Sequence, residues 1–378
     1  MTRLLSMTLA ASLFGGVAYA QEIAPTPVVA TEPTPPPPAP PTDSGFKITG
    51  FVDGFYSVST QKTGSQYPDM GGMPSGISDP AHGAYARNNG FGLSFAGMDA
   101  VYDSDKAGAT ISLRYGPSVT RYFAGTEPAS AANVTQAFAT LKPSDAMSID
   151  FGQFYTIYGA EVAESWLNYN YTRGGLYYAM QPFWHTGARL NYKLSDQLTI
   201  KGMLVNGTNR AIETTKNMPG VGLQVAYTAE SFSVIAGYLG SLDSDSEFFD
   251  QFFDVVASTK LGSIELLANF DYGMNKGDAD FSWLGASLAG RLALSEDFRV
   301  ALRGEFLSDP DGGLFGPEDT TVMTGTLTLD WNAFGSQNAI VRFDARFDNS
   351  SEDIFLDGDG AATGSWMQGV VGVVVKTN

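Results

Sequence analysis

The sequence contains no cysteine, few charges and, after its first twenty residues, no long apolar run. Without cysteine there can be no disulfide framework, thiol enzyme, cysteine-ligated metal or bacterial lipoprotein anchor. Charged residues make up 16% of the chain, against roughly 25% in soluble globular domains. Lys and Arg number 22 against 40 Asp and Glu, so the basic surface that a nucleic-acid partner needs is missing.

The first twenty residues have the pattern of an export signal. Arg3 gives a positive start, an apolar stretch follows, and Ala18-Tyr19-Ala20 is a small-x-small cleavage site. The alternative is a membrane anchor, but the apolar run falls short of the roughly 20 residues that a spanning helix needs. We therefore predict a signal peptide over residues 1–20.

A proline-rich segment follows the cleavage site. Nine of the 19 prolines lie between Pro25 and Pro41. Proline fixes φ and lacks an amide donor, so residues 21–45 are predicted to form an extended linker in the periplasm. A solvated tether is the simpler interpretation, and contact with the cell wall is the alternative.

The rest of the chain, residues 46–378, alternates between apolar and polar side chains. In the clearest case, Val341, Phe343, Ala345 and Phe347 oppose Arg342, Asp344, Arg346 and Asp348. A period of two is the signature of a β-strand. After residue 45 no stretch has the roughly 18 uninterrupted apolar residues of a transmembrane helix. The pattern predicts an all-β domain and leaves a sandwich or a barrel open.

The connections between these strands distinguish the two architectures. Seven short polar turns alternate with eight long connections, which defines about sixteen strands. An even number of strands with short turns on one side and long loops on the other is typical of an outer-membrane barrel. A barrel of that size leaves an aqueous channel, and its closure removes the unpaired edges that lipid cannot satisfy. The predicted fold is a transmembrane antiparallel β-barrel with outer-membrane lipids around it.

Residues 151–178 read FGQFYTIYGAEVAESWLNYNYTRGGLYY, and residues 182–207 read PFWHTGARLNYKLSDQLTIKGMLVNG. These segments, with the opening Gly50–Tyr56, resemble the putative beta-barrel porin-2 family of OmpL-like outer-membrane porins. The resemblance implies a passive channel for ions and small hydrophilic solutes in the bacterial outer membrane. A homotrimer is an expectation from analogy with porins.

Charge patterning suggests how such a channel works. The eight long connections carry twenty acidic and seven basic residues, which predicts an acidic external rim. A basic side chain facing lipid would cost about 2–4 kcal/mol at the bilayer midplane. Parity therefore places a set of charged residues in the lumen: Arg291, Arg299, Arg303, Glu305, Arg342, Asp344 and Arg346. Arg114, Arg189 and Lys201 are predicted to face inward as well.

The third long connection, 155–184, is too long and too aromatic to extend freely into water. It carries Glu161, Glu164 and Arg173. We predict that it folds into the barrel and narrows it. Both glutamates would then face part of the arginine wall and set a transverse electric field across the constriction. The first long connection, 60–90, is the alternative constriction.

Two other functions compete with that of a porin. A structural anchor would use residues 21–45 as a cell-wall tether, and a barrel hydrolase would use His185 as its base. No residue pattern predicts catalysis, and the acidic pair Asp357 and Asp359 lacks the bidentate glutamate of an EF-hand. The sequence therefore predicts a channel that is not an enzyme and that has no cofactor or metal.

Overall fold

The computed structural model describes residues 45–60, 89–116, 119, 132–209, 211, 219–241, 250–276 and 280–377. The predicted signal peptide and nearly all of the linker lie outside the described residues. So do most of the first long connection and residues 242–249 of the fifth.

The described residues form eighteen strands. They are β1 Lys47–Ser59, β2 Gly90–Asp103, β3 Ala107–Tyr115, β4 Val134–Ser144, β5 Met147–Tyr155, β6 Trp184–Lys193, β7 Leu198–Val205, β8 Gly220–Thr228, β9 Phe232–Ser241, β10 Gln251–Leu261, β11 Ile264–Asn275, β12 Phe281–Ala293, β13 Phe298–Asp309, β14 Thr320–Asn332, β15 Ala339–Ser350, β16 Phe355–Leu356, β17 Ala362–Thr363 and β18 Ser365–Lys376. One α-helix, α1, spans Gly175–Met180, and 3₁₀ turns span Ser165–Leu167 and Ala333–Gly335.

Sixteen of the strands described close into an antiparallel barrel, in which β18 pairs with both β15 and β1. Each other barrel strand pairs with its neighbours in sequence, while β16 and β17 form a separate hairpin in the last long connection. The predicted strand number and the alternation of short and long connections are confirmed. No helix among the described residues is long and apolar enough to cross a membrane.

The two faces of the wall differ as their parity predicts. In β13, Leu302 and Phe306 face outward, and Leu302 is 62% exposed. Between them in sequence, Arg303 and Glu305 face inward and are buried. Because lipid replaces water outside an outer-membrane barrel, the exposed apolar side chains form its lipid-facing surface. The inward polar side chains are buried because another part of the chain covers them.

Candidate pore constriction

The chain between β5 and β6 lies inside the barrel. We call residues 156–183 the inner segment. Leu167 is its one exposed residue, at 40%, and most of the others are buried. An irregular segment has main-chain polar groups that need partners away from bulk water. In this barrel the lumen-facing side chains of the wall supply those partners.

The neutral stretch, Ile157–Ala160, follows the wall strand by strand. Its four residues meet, in order, Gln224 of β8, the Tyr238 carbonyl of β9, Asp254 of β10 and Asn269 of β11. The Tyr158 hydroxyl donates to the Tyr238 carbonyl oxygen at 2.6 Å, and the Ala160 amide donates to Asn269 Oδ1 at 2.9 Å. No Lys or Arg takes part in these four contacts.

The ionic stretch, residues 161–176, begins with Glu161. Arg303 of β13 donates to Glu161 Oε1 at 2.5 Å, and the Gly174 amide donates to Oε2 at 2.6 Å. Burial raises the pKa of the Glu161 carboxyl, and the Arg303 guanidinium opposes that rise. Glu305 lies beside Arg303, 3.3 Å from its Nε, and accepts the Gly175 and Leu176 amides at 3.2 Å each. Glu161 thus connects two parts of the inner segment to the wall.

Glu164 contacts another part of the ring. Its carboxylate lies 2.9 Å from Nε and 2.8 Å from a terminal nitrogen of Arg114 in β3. Arg114 also pairs with Asp99 of β2 at 2.9 Å and covers the Phe51 ring at 4.8 Å. Sequence parity placed Arg114 in the lumen, but its pairing with Glu164 is a finding of the structure.

Arg342 of β15 binds the inner segment through main-chain oxygens. Its guanidinium donates to the carbonyl oxygens of Ser165, Asn168, Tyr169 and Asn170. Its Nε and one terminal nitrogen hold Asp330 of β14 at 2.6 and 3.0 Å. One buried side chain, 2% exposed, therefore donates to four carbonyl oxygens of irregular backbone and stays paired with a carboxylate.

Asp344 and Arg346 extend the same anchor along β15. Asp344 Oδ2 accepts the amides of Tyr171 and Thr172, each at 2.9 Å. Arg346 donates to the Arg173 carbonyl oxygen at 2.5 Å and pairs with Asp348. The Arg173 side chain is buried and donates to the Tyr171 carbonyl oxygen at 3.0 Å. These predicted residues are brought together on one side of the lumen.

Two predicted residues lie away from this anchor. Arg291 of β12 pairs with Glu265 at 2.6 Å and stacks on the Tyr169 ring at 4.4 Å, so it meets only the margin of the inner segment. Arg299 lies next to the short turn before β13. Within the described residues no hydrogen bond or ion pair joins Arg299 to the inner segment.

The parity argument did not single out Asp53, which the structure adds to the site. Asp53 of β1 accepts the Tyr171 hydroxyl at 2.6 Å and the Ser165 hydroxyl at 2.7 Å, and it is completely buried. An inward carboxylate between Phe51 and Phe55 was the available signal. It does not identify Tyr171 as the partner, because the two residues are 118 positions apart.

Two glycines of the wall make room for the inner segment. A Cβ at Gly237 of β9 would lie 2.6 Å from the Tyr158 ring. A Cβ at Gly372 of β18 would lie 2.2 Å from the Tyr171 ring. Contacts this short displace a rigid neighbour, so glycine allows each tyrosine to pack directly on the strand backbone. The two sites lie in different parts of the ring.

The helix α1 adds an apolar contact at the end of the inner segment. Leu176 and Met180 belong to one buried cluster with Trp283 of β12 and Leu307 of β13. The Trp283 indole donates to the Met180 carbonyl oxygen at 3.4 Å. The lumen is therefore partly filled by apolar side chains where α1 packs.

His185, the base of the hydrolase alternative, is completely buried. Its Nδ1 lies 3.0 Å from the Gly207 carbonyl oxygen and its Nε2 lies 3.2 Å from the Thr156 hydroxyl. In the part of the chain that is described, neither ring nitrogen contacts a serine. The histidine instead connects the start of the inner segment to the loop after β7.

A closed sixteen-stranded barrel with an apolar outer face and a polar lumen defines an outer-membrane β-barrel of the channel type. The chain belongs to the family described as Putative beta-barrel porin-2, OmpL-like, which matches residues 45–376. It is therefore an outer-membrane porin, and the family resemblance, the fold and the predicted location are confirmed. No curated protein sequence shows significant similarity to the chain.

Solved structures share the fold at low sequence identity. An anion-selective porin from Comamonas acidovorans is 14% identical, with a TM-score of 0.60 over 89% of this chain and 100% of that chain. The channel DcaP of Acinetobacter baumannii is 14% identical, with a TM-score of 0.55 over 89% and 98%. OmpF of Salmonella typhi is 16% identical, with a TM-score of 0.55 over 88% and 97%.

Proposed function

We propose that the inner segment is the constriction of this porin and that ions and small hydrophilic solutes diffuse past it. The supporting observation is that residues 157–176 are bound to wall strands in several parts of the ring. These strands include β1, β3, β8, β13 and β15. A segment held in this way occupies the lumen at a fixed position. A fixed constriction sets conductance by its cross-section and ion preference by the charges that face water.

The water-filled route passes the partly exposed side chains near the inner segment. On the wall these include Lys260, Glu265 and Arg291, whose side chains are 20–30% exposed. On the inner segment they include Leu167 and the Glu161 side chain, which is 14% exposed. Because Glu161 and Glu164 already contact arginines, we propose that they set the position of the segment as well as the local field.

Planar-bilayer recording tests the constriction. The variant Glu161→Gln/Glu164→Gln retains side-chain size but removes both charges that hold Arg303 and Arg114. We expect a larger or less steady single-channel conductance and an altered reversal potential in a KCl gradient. Glu318→Gln/Glu352→Gln removes the same charge from exposed positions of the external loops and is the matched control. If the first variant conducts and selects ions like the unmodified protein, the inner segment is not the constriction.

Association of three barrels is also proposed, on the basis of likeness. One Vibrio cholerae OmpT structure, 13% identical with a TM-score of 0.56, is described as a trimer form. A mass three times that of one chain, measured by light scattering with the detergent contribution subtracted, would support the trimer. A single-chain mass would reject it. The cell-wall tether stays a prediction about residues 21–45.

A further inference from the structure

Two carboxylates face each other directly across the strands that hold the neutral stretch. Asp254 of β10 and Asp271 of β11 are register partners, and both side chains point into the barrel. Both residues are completely buried. Their carboxyl groups lie within hydrogen-bonding reach of each other. A pair of acids in contact and away from water is uncommon unless something compensates the second charge.

No cation performs that role in the part of the chain described. Neither Asp254 nor Asp271 has an ion pair or a hydrogen bond with a Lys, Arg or His side chain there. Gly237 of β9, Gly285 of β12 and Gly159 of the inner segment face the pair. The titratable group beside it is the Tyr158 phenol. Among the described residues, the surroundings of the pair thus contain no positive charge that would stabilise two carboxylates.

The hydrogen bonds of the pair are incomplete without a proton. Asn269 Nδ2 donates to Oδ1 of Asp254 and to Oδ1 of Asp271, both at 2.9 Å. The other oxygen of each group, Oδ2, is buried and has no donor among the described residues. One proton held between the carboxyl groups removes the repulsion and supplies the missing donor.

The same amide connects the acid pair to the inner segment. Because Asn269 Nδ2 is held by both carboxyl groups, its Oδ1 points to the Ala160 amide and accepts that hydrogen at 2.9 Å. The Gly159 amide lies beside the Asp254 carboxyl group. Separation of the two carboxylates would remove the bridge by Asn269 and loosen two of the four contacts of the neutral stretch.

We propose that Asp254 and Asp271 share one proton and that this proton latches the neutral stretch to the barrel wall. Alkaline pH removes the proton, the two charges repel, and the neutral stretch leaves the wall. Conductance then becomes larger or less steady above the transition and stays constant below it. The proposal rests on the inner segment being the constriction.

Recording of the full mature chain from acidic to alkaline pH tests the latch. Asp271→Asn supplies a permanent donor to Asp254, so we expect the pH transition to disappear while the low-pH conductance is retained. Asp103→Asn is the control, because Asp103 is half-exposed and pairs with Lys142 at the barrel end. A transition that persists in Asp271→Asn, or the absence of any transition in the unmodified protein, would overturn the latch.

Infrared spectroscopy reads the proton without reference to conductance. The folded protein should show a protonated carboxyl band at neutral pH that is lost in Asp254→Asn/Asp271→Asn and retained in Asp103→Asn. An unchanged band in the double variant rejects the shared proton even if the channel conducts. If Ca²⁺ shifts the transition and EDTA reverses the shift, a bound cation rather than a proton holds the pair. Absence of conductance at every pH would contradict the proposed role of the inner segment as a pore constriction. The infrared band would still show whether Asp254 and Asp271 share a proton.

Discussion

The neutral stretch and the ionic stretch are adjacent in sequence but are bound to the wall by different chemistry. Residues 157–160 use main-chain groups, one phenol, two side-chain amides and an acid pair that has no cationic partner among the described residues. Residues 161–176 use arginines and carboxylates of the wall, almost all buried. A neutral hydrogen bond contributes about 1 kcal/mol, whereas removing one partner of a buried ion pair costs about 3–5 kcal/mol.

The comparison separates a fixed half from a releasable half. Buried ion pairs are screened little by salt, so the ionic stretch should hold across ionic strengths. The neutral stretch depends on a few weak bonds, two of which involve Asp254 and Asn269. We therefore expect movement within the lumen to begin at residues 157–160. Variants that loosen each half should differ in size of effect and in the property that they change.

The largest effect is expected for Arg342→Met, which breaks the ionic stretch. This substitution removes the guanidinium donor from the carbonyl oxygens of Asn168, Tyr169 and Asn170, and leaves the buried Asp330 without its Arg342 partner. The Ser165 carbonyl oxygen keeps the Asn168 amide as a donor at 3.1 Å. We expect a loss of about 3–5 kcal/mol in the free energy of unfolding, together with a larger conductance. The free energy of unfolding is measured by urea titration, with the loss of the heat-modifiable gel band as the signal for unfolding. The conductance is measured by bilayer recording.

Arg299→Met is the control for Arg342→Met. Arg299 also lies on the lumen side of a barrel strand but does not contact the inner segment among the described residues. The free energy of unfolding of Arg299→Met should fall by less than about 1 kcal/mol, the usual range for substitutions away from special contacts. Equal losses in the two variants would contradict the assignment of Arg342 as the main anchor.

A smaller effect is expected for Gly372→Ala, which presses on the ionic stretch without removing a charge. The new Cβ would lie 2.2 Å from the Tyr171 ring. The Tyr171 side chain cannot move freely, because its hydroxyl donates to Asp53 at 2.6 Å and the main-chain amide of Tyr171 donates to Asp344 at 2.9 Å. Overpacking of this kind costs about 1–3 kcal/mol. The same urea assay measures it.

Gly325→Ala is the matched control for Gly372→Ala. Gly325 lies in β14 on the outer face, and a Cβ there meets nothing within 4 Å. Both substitutions add one methyl group to a barrel strand, so strand propensity changes equally. If the two variants unfold at the same urea concentration, Tyr171 does not pack against β18 as described.

The barrel could be predicted because its rules are local. Alternation determines which face of the wall each strand residue occupies. The length of each connection determines at which end of the barrel that connection lies. Arg303 and Glu305 were therefore placed in the lumen without a structure. Their partners were not, because Glu161 and Arg303 are 142 positions apart and parity does not specify depth in the lumen. The carbonyl oxygens that bind Arg342 carry no sequence signal, since every residue has one.

The acid pair could have been found from the sequence by one further step. The two-residue turn Gly262–Ser263 sets Leu261 opposite Ile264. Counting back along both strands from that turn places Asp254 opposite Asp271, because turn length determines register in a hairpin. In β11, Asn269 and Asp271 alternate with Ala268, Phe270 and Tyr272, which marks the polar face, and the turn then identifies the partner of Asp271. What no sequence rule supplies is the approach of Gly159 to this pair.

The smallest effect is expected for Tyr158→Phe, which weakens the neutral stretch by one hydrogen bond. The ring can remain against Gly237, while the bond from the hydroxyl to the Tyr238 carbonyl oxygen is lost. We expect about 1 kcal/mol less local stability and faster hydrogen exchange of the amides at residues 157–160, measured by mass spectrometry. Tyr227→Phe, which removes a hydroxyl from a 40% exposed outer tyrosine, should leave that exchange unchanged.

Because a fixed ionic stretch holds the remainder of the inner segment, exchange at residues 168–172 should stay slow in Tyr158→Phe. Equal acceleration at both places would mean that the inner segment moves as one unit and that its two halves are not separately anchored.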